Sequence, residues 1–353
     1  MTVRALGLLS GGLDSSLAAL LLRAQGIEVQ GLYFNTGFCS VEAKQRVRRI
    51  KEPPPVHHGE EFSKAFDIPM EIVDIRDEYL DVLKSPKHGY GSAFNPCIDC
   101  RIFMLKKAAA ILEERGFDFI FTGEVVGQRP MTQMPRTLKA IERAAGLEGR
   151  IVRPLCAKLL PPTPAELEGK VDRERLLDIQ GRRRIAQMEL AQRFGLAVFP
   201  TPSGGCCFLT DPHLKYRFKD LLQFKPKADI TYKEFYLVRY GRHFRLSPQC
   251  KLIAGRDEPE NEYLMTNADG LILIQPESRP GPLGLLEPEA DSAALETALC
   301  LLASYCTTDG GEAVEFSLYH PDGTYPARSA RPDPLAPDRY RITKENAWTR
   351  KSS

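Results

Sequence analysis

The stretch Ser10-Gly11-Gly12-Leu13-Asp14-Ser15-Ser16 restricts the fold of this chain more than any other segment. It follows Arg4 to Leu9, a short apolar run that reads as a buried parallel strand, and precedes Leu17 to Ala24, an unbroken helix former closed by Gly26. A strand, a glycine turn and a helix N-terminus make an anion site, because free backbone N–H groups and the helix dipole face one point. Gly11 and Gly12 let the backbone approach a ligand closely, and the Ser10, Ser15 and Ser16 hydroxyls add donors. No Lys-Ser/Thr follows the glycines, so this is not a Walker loop. The G-x-G-x-x-G spacing of a dinucleotide fold is also missing.

Further along, Val29 to Asn35, Met70 to Ile75 and Phe117 to Thr122 read as strands, and Arg101 to Arg115 as a helix with Ile102, Leu105, Ala109 and Leu112 on its apolar face. Strands that alternate with helices imply an α/β fold with a doubly wound parallel sheet. Phe34-Asn35-Thr36 falls at the C-terminal end of the second strand, where open α/β sheets bind ligands. A proline-rich connector opens at Pro161, a helix covers Arg184 to Phe194, and Val198 to Phe199 reads as a short strand.

The composition then shifts. Between Lys215 and Arg245 nine Lys/Arg face three Asp/Glu, interleaved with Tyr216, Phe218, Phe224, Tyr232, Phe235, Tyr236, Tyr240 and Phe244. Bases clustered with aromatics suit phosphate contacts and base stacking. The expected division is therefore a catalytic domain over 1–224, a smaller α+β domain over 225–330 and a Pro-, Arg- and Ser-rich tail over 331–353, expected to be disordered. A formal charge of +2 over 353 residues leaves any nucleic-acid case to such local patches. No window is apolar enough to span a membrane, and a strand by about residue 4 leaves no room for a signal peptide, so a cytoplasmic location is expected.

In that compartment nine cysteines point to metal, catalysis or inert thiols rather than disulfides. Cys97 and Cys100 form a C-x-x-C just before the expected helix, whose N-terminus stabilises thiolates. Cys206 and Cys207 sit on a distant Gly-Gly turn. In extended chain neighbouring side chains point to opposite faces, so only one of them can join the pair, and Cys206 is the choice. Four readings stay open: zinc, which needs four ligands; a redox pair; a [4Fe–4S] cluster held by three cysteines with one iron open; and isolated structural thiols. The other cysteines read as small hydrophobes, with Cys39, just past the second strand, the one to watch.

The serine-glycine loop resembles the PP-loop, SGGxDS, of the ATP pyrophosphatase superfamily, which adenylates a substrate and releases pyrophosphate. Asn95-Pro96-Cys97 followed by Cys100 resembles the tRNA 2-thiouridylase family (MnmA). Thr122-Gly123-Glu124-Val125-Val126-Gly127-Gln128 with Thr132-Gln133, and then Arg153-Pro154-Leu155, resemble the tRNA 4-thiouridine synthetase family (ThiI). Tyr240 to Arg245, Lys251 to Arg256 and Glu260-Asn261-Glu262 are similar to the NFACT-R domain of RNA-associated proteins.

The resemblance implies ATP over Ser10, Gly11, Gly12, Ser15 and Ser16, with Mg2+ offsetting phosphate charge and Asp14 placing the metal or nucleotide. Phe34 would meet the adenine, and Gly123 and Gln128 would complete the nucleotide site. Members with C-x-x-C plus one distant cysteine are the iron–sulfur type, which matches Cys97, Cys100 and Cys206 as catalytic residues and cluster ligands. The implied partners are tRNA and a sulfur donor, either sulfide or the persulfide of a cysteine desulfurase. The implied reaction is tRNA thiolation giving 4-thiouridine, with 2-thiouridine as the alternative. A PP-loop amidotransferase or synthetase acting on a small molecule is the rival that makes no use of the cysteines.

Overall fold

The computed structural model describes residues 2–39, 58–197, 199, 207–277, 279–308, 311–320 and 322–344. It divides into two compact units with the boundary between Thr210 and Asp211.

In the first unit, β1 (Arg4–Leu8), β2 (Glu28–Asn35), β3 (Met70–Asp74), β4 (Phe119–Thr122) and β5 (Ile151–Val152) form one sheet in the order β3-β2-β1-β4-β5. Every pairing is parallel. The α/β parallel sheet expected from the sequence is therefore present, and it is longer by β5. Side chains alternate across it. Ala5 and Leu9 go to one apolar layer with Phe119 and Phe121, while Leu6 and Leu8 go to the other with Ile120.

Helices cover both layers. On the first lies α1 (Leu13–Arg23), whose Leu17, Ala18 and Leu22 are fully buried. The order of the chain then continues with α2 (His58–Phe66), α3 (Arg76–Lys84), α4 (Cys97–Arg115), α5 (Pro135–Ala145), α6 (Pro164–Leu167) and α7 (Ile185–Arg193). Leu105 and Ala108 of α4 and Ile141 of α5 enter the second layer, and Leu190 of α7 the first. Because β1 sends its crossover to β2 on one side and lies beside β4 on the other, the C-terminal ends of β1 and β4 flank the crevice where such sheets bind ligands.

The second unit begins with α8 (Lys215–Phe224) and α9 (Tyr232–Leu237). Next come β6 (Arg242–Ser247), β7 (Cys250–Ala254), α10 (Glu258–Thr266), β8 (Ile272–Pro276), β9 (Gly284–Leu286), α11 (Ser292–Ala303), β10 (Val314–His320), β11 (Gly323–Ala330) and α12 (Ala336–Tyr340). The six strands make an antiparallel sheet, β11-β10-β8-β9-β7-β6, and its core joins Phe244, Leu252, Ile274, Leu286 and Phe316 to Ala298, Leu299 and Leu302 of α11. This is the expected α+β domain.

Two particulars differ from the sequence reading. The contact boundary falls after Thr210, ahead of α8, because Phe218 packs on Phe235 with ring centroids 5.7 Å apart and Asp220 pairs with Arg245. Residues 331–344 are not a trailing coil: Ala336 and Ile342 are buried, and Ile342 N donates to His243 O at 2.9 Å. The rest of the tail, 345–353, and the strand expected at Val198 lie outside the described residues.

Most of the aromatics expected to stack on bases also point inward. Phe218, Phe235, Tyr236, Tyr240 and Phe244 are buried, and Tyr240 stacks on Tyr263 at 3.9 Å. Arg245 is internal too, held by Asp220 and Glu287. For these five rings the aromatic spacing is a core pattern, while Tyr216, Phe224 and Tyr232 are half-buried.

Candidate functional site at the ends of β1, β4 and α4

The loop after β1 closes on itself. Gly11 takes a left-handed conformation, φ +68°, which glycine alone adopts without strain. The Ser15 hydroxyl donates to Gly12 O at 2.9 Å and accepts from Ser10 N at 3.3 Å, and it lies 3.3 Å from the Ser10 hydroxyl. Ser15 and Ser16 are buried, and Gly12 N donates to Ser10 Oγ at 3.4 Å, so the loop is held in shape at the positive end of α1. Gly123, at the end of β4, sits against this loop. A β-carbon there would lie 2.5 Å from Ser15 N and Cα and 2.6 Å from Asp14 C.

Asp14 carries the negative charge of the site. Gln128 Nε2 donates to its Oδ2 at 3.0 Å, and Arg184 Nη2 stands 3.7 Å from the same oxygen. Asp14 Oδ1 and Gln128 Oε1 are both buried acceptors with no hydrogen-bond partner. Leaving two such acceptors bare costs roughly 1–3 kcal/mol each. An oxygen-coordinated cation or a ligand donor between them removes that cost.

Glu124 joins the loop to the cysteine helix. It is 2 % exposed and is held by Arg101 Nε at 3.2 Å, Arg153 Nε at 3.0 Å and the Thr122 hydroxyl at 3.0 Å. Burial alone would raise its pKa, and the Arg101 and Arg153 charges outweigh that and hold its carboxyl below the usual range. Arg153 also pairs with Glu142. Arg101 is the residue after Cys100, so one buried carboxylate ties α4 to the end of β4.

The helix of the C-x-x-C begins earlier than the sequence pattern indicates. Cys97 and Cys100 lie inside the first turn of α4, not before it, with Cys100 N bonded to Pro96 O at 2.8 Å. Both are partly exposed, and Cys97 Sγ accepts from Asn95 Nδ2 at 3.0 Å. Phe94 N donates to Leu209 O at 3.1 Å, and Phe208 N to Phe38 O at 3.0 Å. The segment from Cys207 to Leu209 is thereby fastened between the start of α4 and the end of β2. Cys206 lies outside the described residues, and among the described residues no group of three metal-ligating side chains is assembled.

The structure thus gathers Ser10, Gly11, Gly12, Asp14, Ser15, Ser16, Gly123 and Gln128 into one constellation, with Cys97 and Cys100 tied to it through Arg101 and Glu124. Phe34 instead buries its ring in the layer with Leu8 and Ile102. Sequence reasoning missed Arg184, which had no signal beyond its place in a run of three arginines. It also missed the facing of Cys39 and Cys207 across an antiparallel bridge.

Cysteines away from the site behave differently. Burial pushes the thiols of Cys156 and Cys306 up to about 11 and that of Cys250 up to about 12. At pH 8 these three are expected to resist iodoacetamide in the native protein while Cys97 and Cys100 are alkylated. Peptide mass spectrometry checks this, and labelling of Cys156 before Cys97 would contradict it.

Comparison with known proteins gives two family matches: thiamine biosynthesis protein (ThiI) over residues 1–158, and the NFACT protein RNA binding domain over residues 241–339. A probable tRNA sulfurtransferase of Clostridium acetobutylicum is 30% identical over 34% of this chain and 29% of its own. The tRNA-specific 2-thiouridylase MnmA of Syntrophotalea carbinolica is 30% identical over 33% of this chain and 32% of its own. That of Moorella thermoacetica is 28% identical over 63% and 59%. The matches span about a third of the length of the first of these relatives. A solved 4-thiouridine synthetase–RNA complex with bound ATP aligns at 23% identity and a TM-score of 0.37, over 60% of this chain and 45% of that one. Residues 1–158 are a domain of the ThiI family, followed in the same chain by an NFACT RNA-binding domain over 241–339.

Proposed function

We propose that the protein is an ATP-dependent tRNA sulfurtransferase that adenylates a uridine carbonyl oxygen and replaces that oxygen by sulfur. The observation that carries this reading is the link, through Glu124 and Arg101, between a glycine-serine loop at a helix N-terminus and a pair of helix-terminal thiols. A small-molecule synthetase has use for the first and none for the second. The T-G-E-x-x-G-Q segment favours 4-thiouridine as the product. The 2-thiouridylase relatives and the Asn95-Pro96-Cys97 segment support 2-thiouridine as the second reading.

The loop amides of Gly11 and Gly12 and the start of α1 receive the phosphates of ATP, and Ser15 keeps the loop in that shape. The uridine oxygen attacks the α-phosphate, pyrophosphate leaves, and the ring carbon now carries AMP as its leaving group. Asp14 and Gln128 fit Mg2+, since each offers a buried acceptor that nothing else occupies, and the ion would supply neutralising charge beside the phosphates. Cys97 and Cys100, both in the first turn of α4, would hold an iron–sulfur cluster together with Cys206, which lies outside the described residues, and the cluster would supply an open iron for sulfide. The Asn95 side-chain amide donates to Cys97 Sγ and orients it. RNA is expected to engage the second unit through phosphate contacts, consistent with its family match.

The test is to incubate protein purified without oxygen with unmodified tRNA, ATP, Mg2+ and sulfide, then identify nucleosides by chromatography and mass spectrometry against standards of both thiouridines. A thiouridine that requires ATP is expected, and Cys97→Ala is expected to lower it at least about a hundredfold. Absence of any thionucleoside from an iron-loaded sample would overturn the reading.

A further inference from the structure

Three consecutive arginines, Arg182, Arg183 and Arg184, lead into α7. The chain just before them is fixed against the segment that follows β4. Gln180 faces Val126 across a parallel bridge, and Gly181 N donates to Val126 O at 2.8 Å. A β-carbon on Gly127, the residue before Gln128, would meet Gly181 N at 3.6 Å. Arg184 then reaches Asp14, 3.7 Å away, while Arg182 and Arg183 stay exposed. Among the described residues no carboxylate pairs with either of these two. Consecutive α-carbons are about 3.8 Å apart, so Arg182 starts no more than about 7.6 Å from the backbone of Arg184. Beyond the run, Gln187, Leu190 and Ala191 make the buried face of α7. That leaves Ile185 64% and Met188 45% exposed, three residues apart and therefore neighbours on the outer side of the helix. Two cations and two apolar side chains thus share the rim of the site that holds Asp14 and Gln128.

Building on the thiolation reading, we propose that this rim is an RNA contact in the first unit. Arg182 and Arg183 take the backbone phosphates beside the target uridine, and Ile185 and Met188 pack against the sugar and base face of an adjoining unstacked nucleotide. Charge selects the partner: the rim lacks an acid for these arginines, and a guanidinium matches phosphate through two parallel N–H···O bonds. Shape narrows it further. Exposed apolar side chains suit the splayed bases of a loop or a chain end, whereas a regular RNA duplex keeps its base faces covered. Position decides which phosphates are held. Arg184 belongs to the nucleotide site, so its two neighbours lie where a uridine oxygen brought to the α-phosphate carries its own strand.

The experiment measures binding of labelled tRNA to the full chain by fluorescence anisotropy, without ATP or sulfide, between about 50 and about 200 mM salt. In the double variant Arg182→Gln, Arg183→Gln, the slope of log affinity against log salt is expected to shrink by about 1.4–1.8, two phosphates at about 0.7–0.9 each. The control, Lys139→Gln with Arg143→Gln on α5, removes the same charge from a place where both cations meet Glu148, and is expected to keep the wild-type slope. Ile185→Ser with Met188→Ser is expected to lower affinity by a similar factor across the salt range with no change of slope. An unchanged slope in the arginine variant, or an equal loss in the control, would overturn the proposal and hand the rim to another partner. Wild-type affinity in the Ile185, Met188 variant would overturn it too. The slope does not depend on the fraction of folded protein, so a partly folded variant still decides the question. If the slopes behave as expected while the wild type makes no thiouridine, the thiolation reading fails and the RNA contact stands. Thiouridine from the wild type together with equal slopes removes the contact alone.

Discussion

Gly123→Ala is expected to lower ATP-dependent turnover about a hundredfold in a protein that still folds. The added carbon would stand 2.5 Å from backbone atoms of Ser15, where no side chain can swing away to make room. Either the end of β4 or the first turn of α1 must shift by about 1 Å, and a misplacement of that size in an aligned site costs about a hundredfold in rate. Because Gly123 adjoins the loop and not the middle of either apolar layer, the loss should appear in ATP affinity and turnover more than in the melting temperature. Calorimetric titration with ATP, steady-state kinetics and a thermal melt separate these effects. Wild-type ATP affinity in the variant would show that the closeness of β4 and α1 does not shape the site.

Arg153→Met is expected to cost about 3–5 kcal/mol of stability, the penalty for stranding a buried charge. Arg153 is 3 % exposed and lies between Glu124 and Glu142, so its loss leaves two carboxylates inside the protein with one guanidinium, Arg101, still on Glu124. Replacing Glu142 by Met as well should recover part of the loss, because one of the stranded charges goes with it. The pH dependence has a definite sign. In the wild type the Arg101 and Arg153 charges overcome burial and hold Glu124 below the carboxylate range. Its contribution is therefore complete above the unfolded value of about 4.3 and disappears as the pH falls through the folded value. In Arg153→Met the balance tips toward the protonated form, so the gap between variant and wild type should narrow on going from about pH 7.5 to about pH 5. Urea unfolding at the two pH values measures it, and a gap that widens on acidification would contradict the account.

Much of this molecule was legible before any coordinates. A glycine-serine loop between an apolar strand and a helix has few structural meanings, and the parallel sheet follows from elements that alternate as they do here. The start of α4 was less legible, since Pro96 reads as a boundary and nothing in Cys97-Ile98-Asp99-Cys100 displays helical periodicity. β5 is only two residues long and α5 carries charge among its apolar positions, so neither stood out. The pairing of Arg184 with Asp14 and the facing of Cys39 and Cys207 join residues 170 and 168 positions apart, and no local pattern encodes a contact of that separation. The aromatics of the second unit misled for a plainer reason: rings spaced among lysines and arginines look the same in sequence whether they line a surface or fill a core.

That inward turn of the rings bears on how RNA would be held under the proposed function. With Phe218, Phe235, Tyr236, Tyr240 and Phe244 inside, those five rings are withdrawn from base stacking, and an RNA grip on the second unit would lean on charge against phosphate. Such a grip is indifferent to base identity and weakens steeply with added salt. It would hold any transcript of suitable shape about equally well. Under the proposed function, the choice of uridine would then fall to the chemistry at the loop after β1, not to the affinity for RNA.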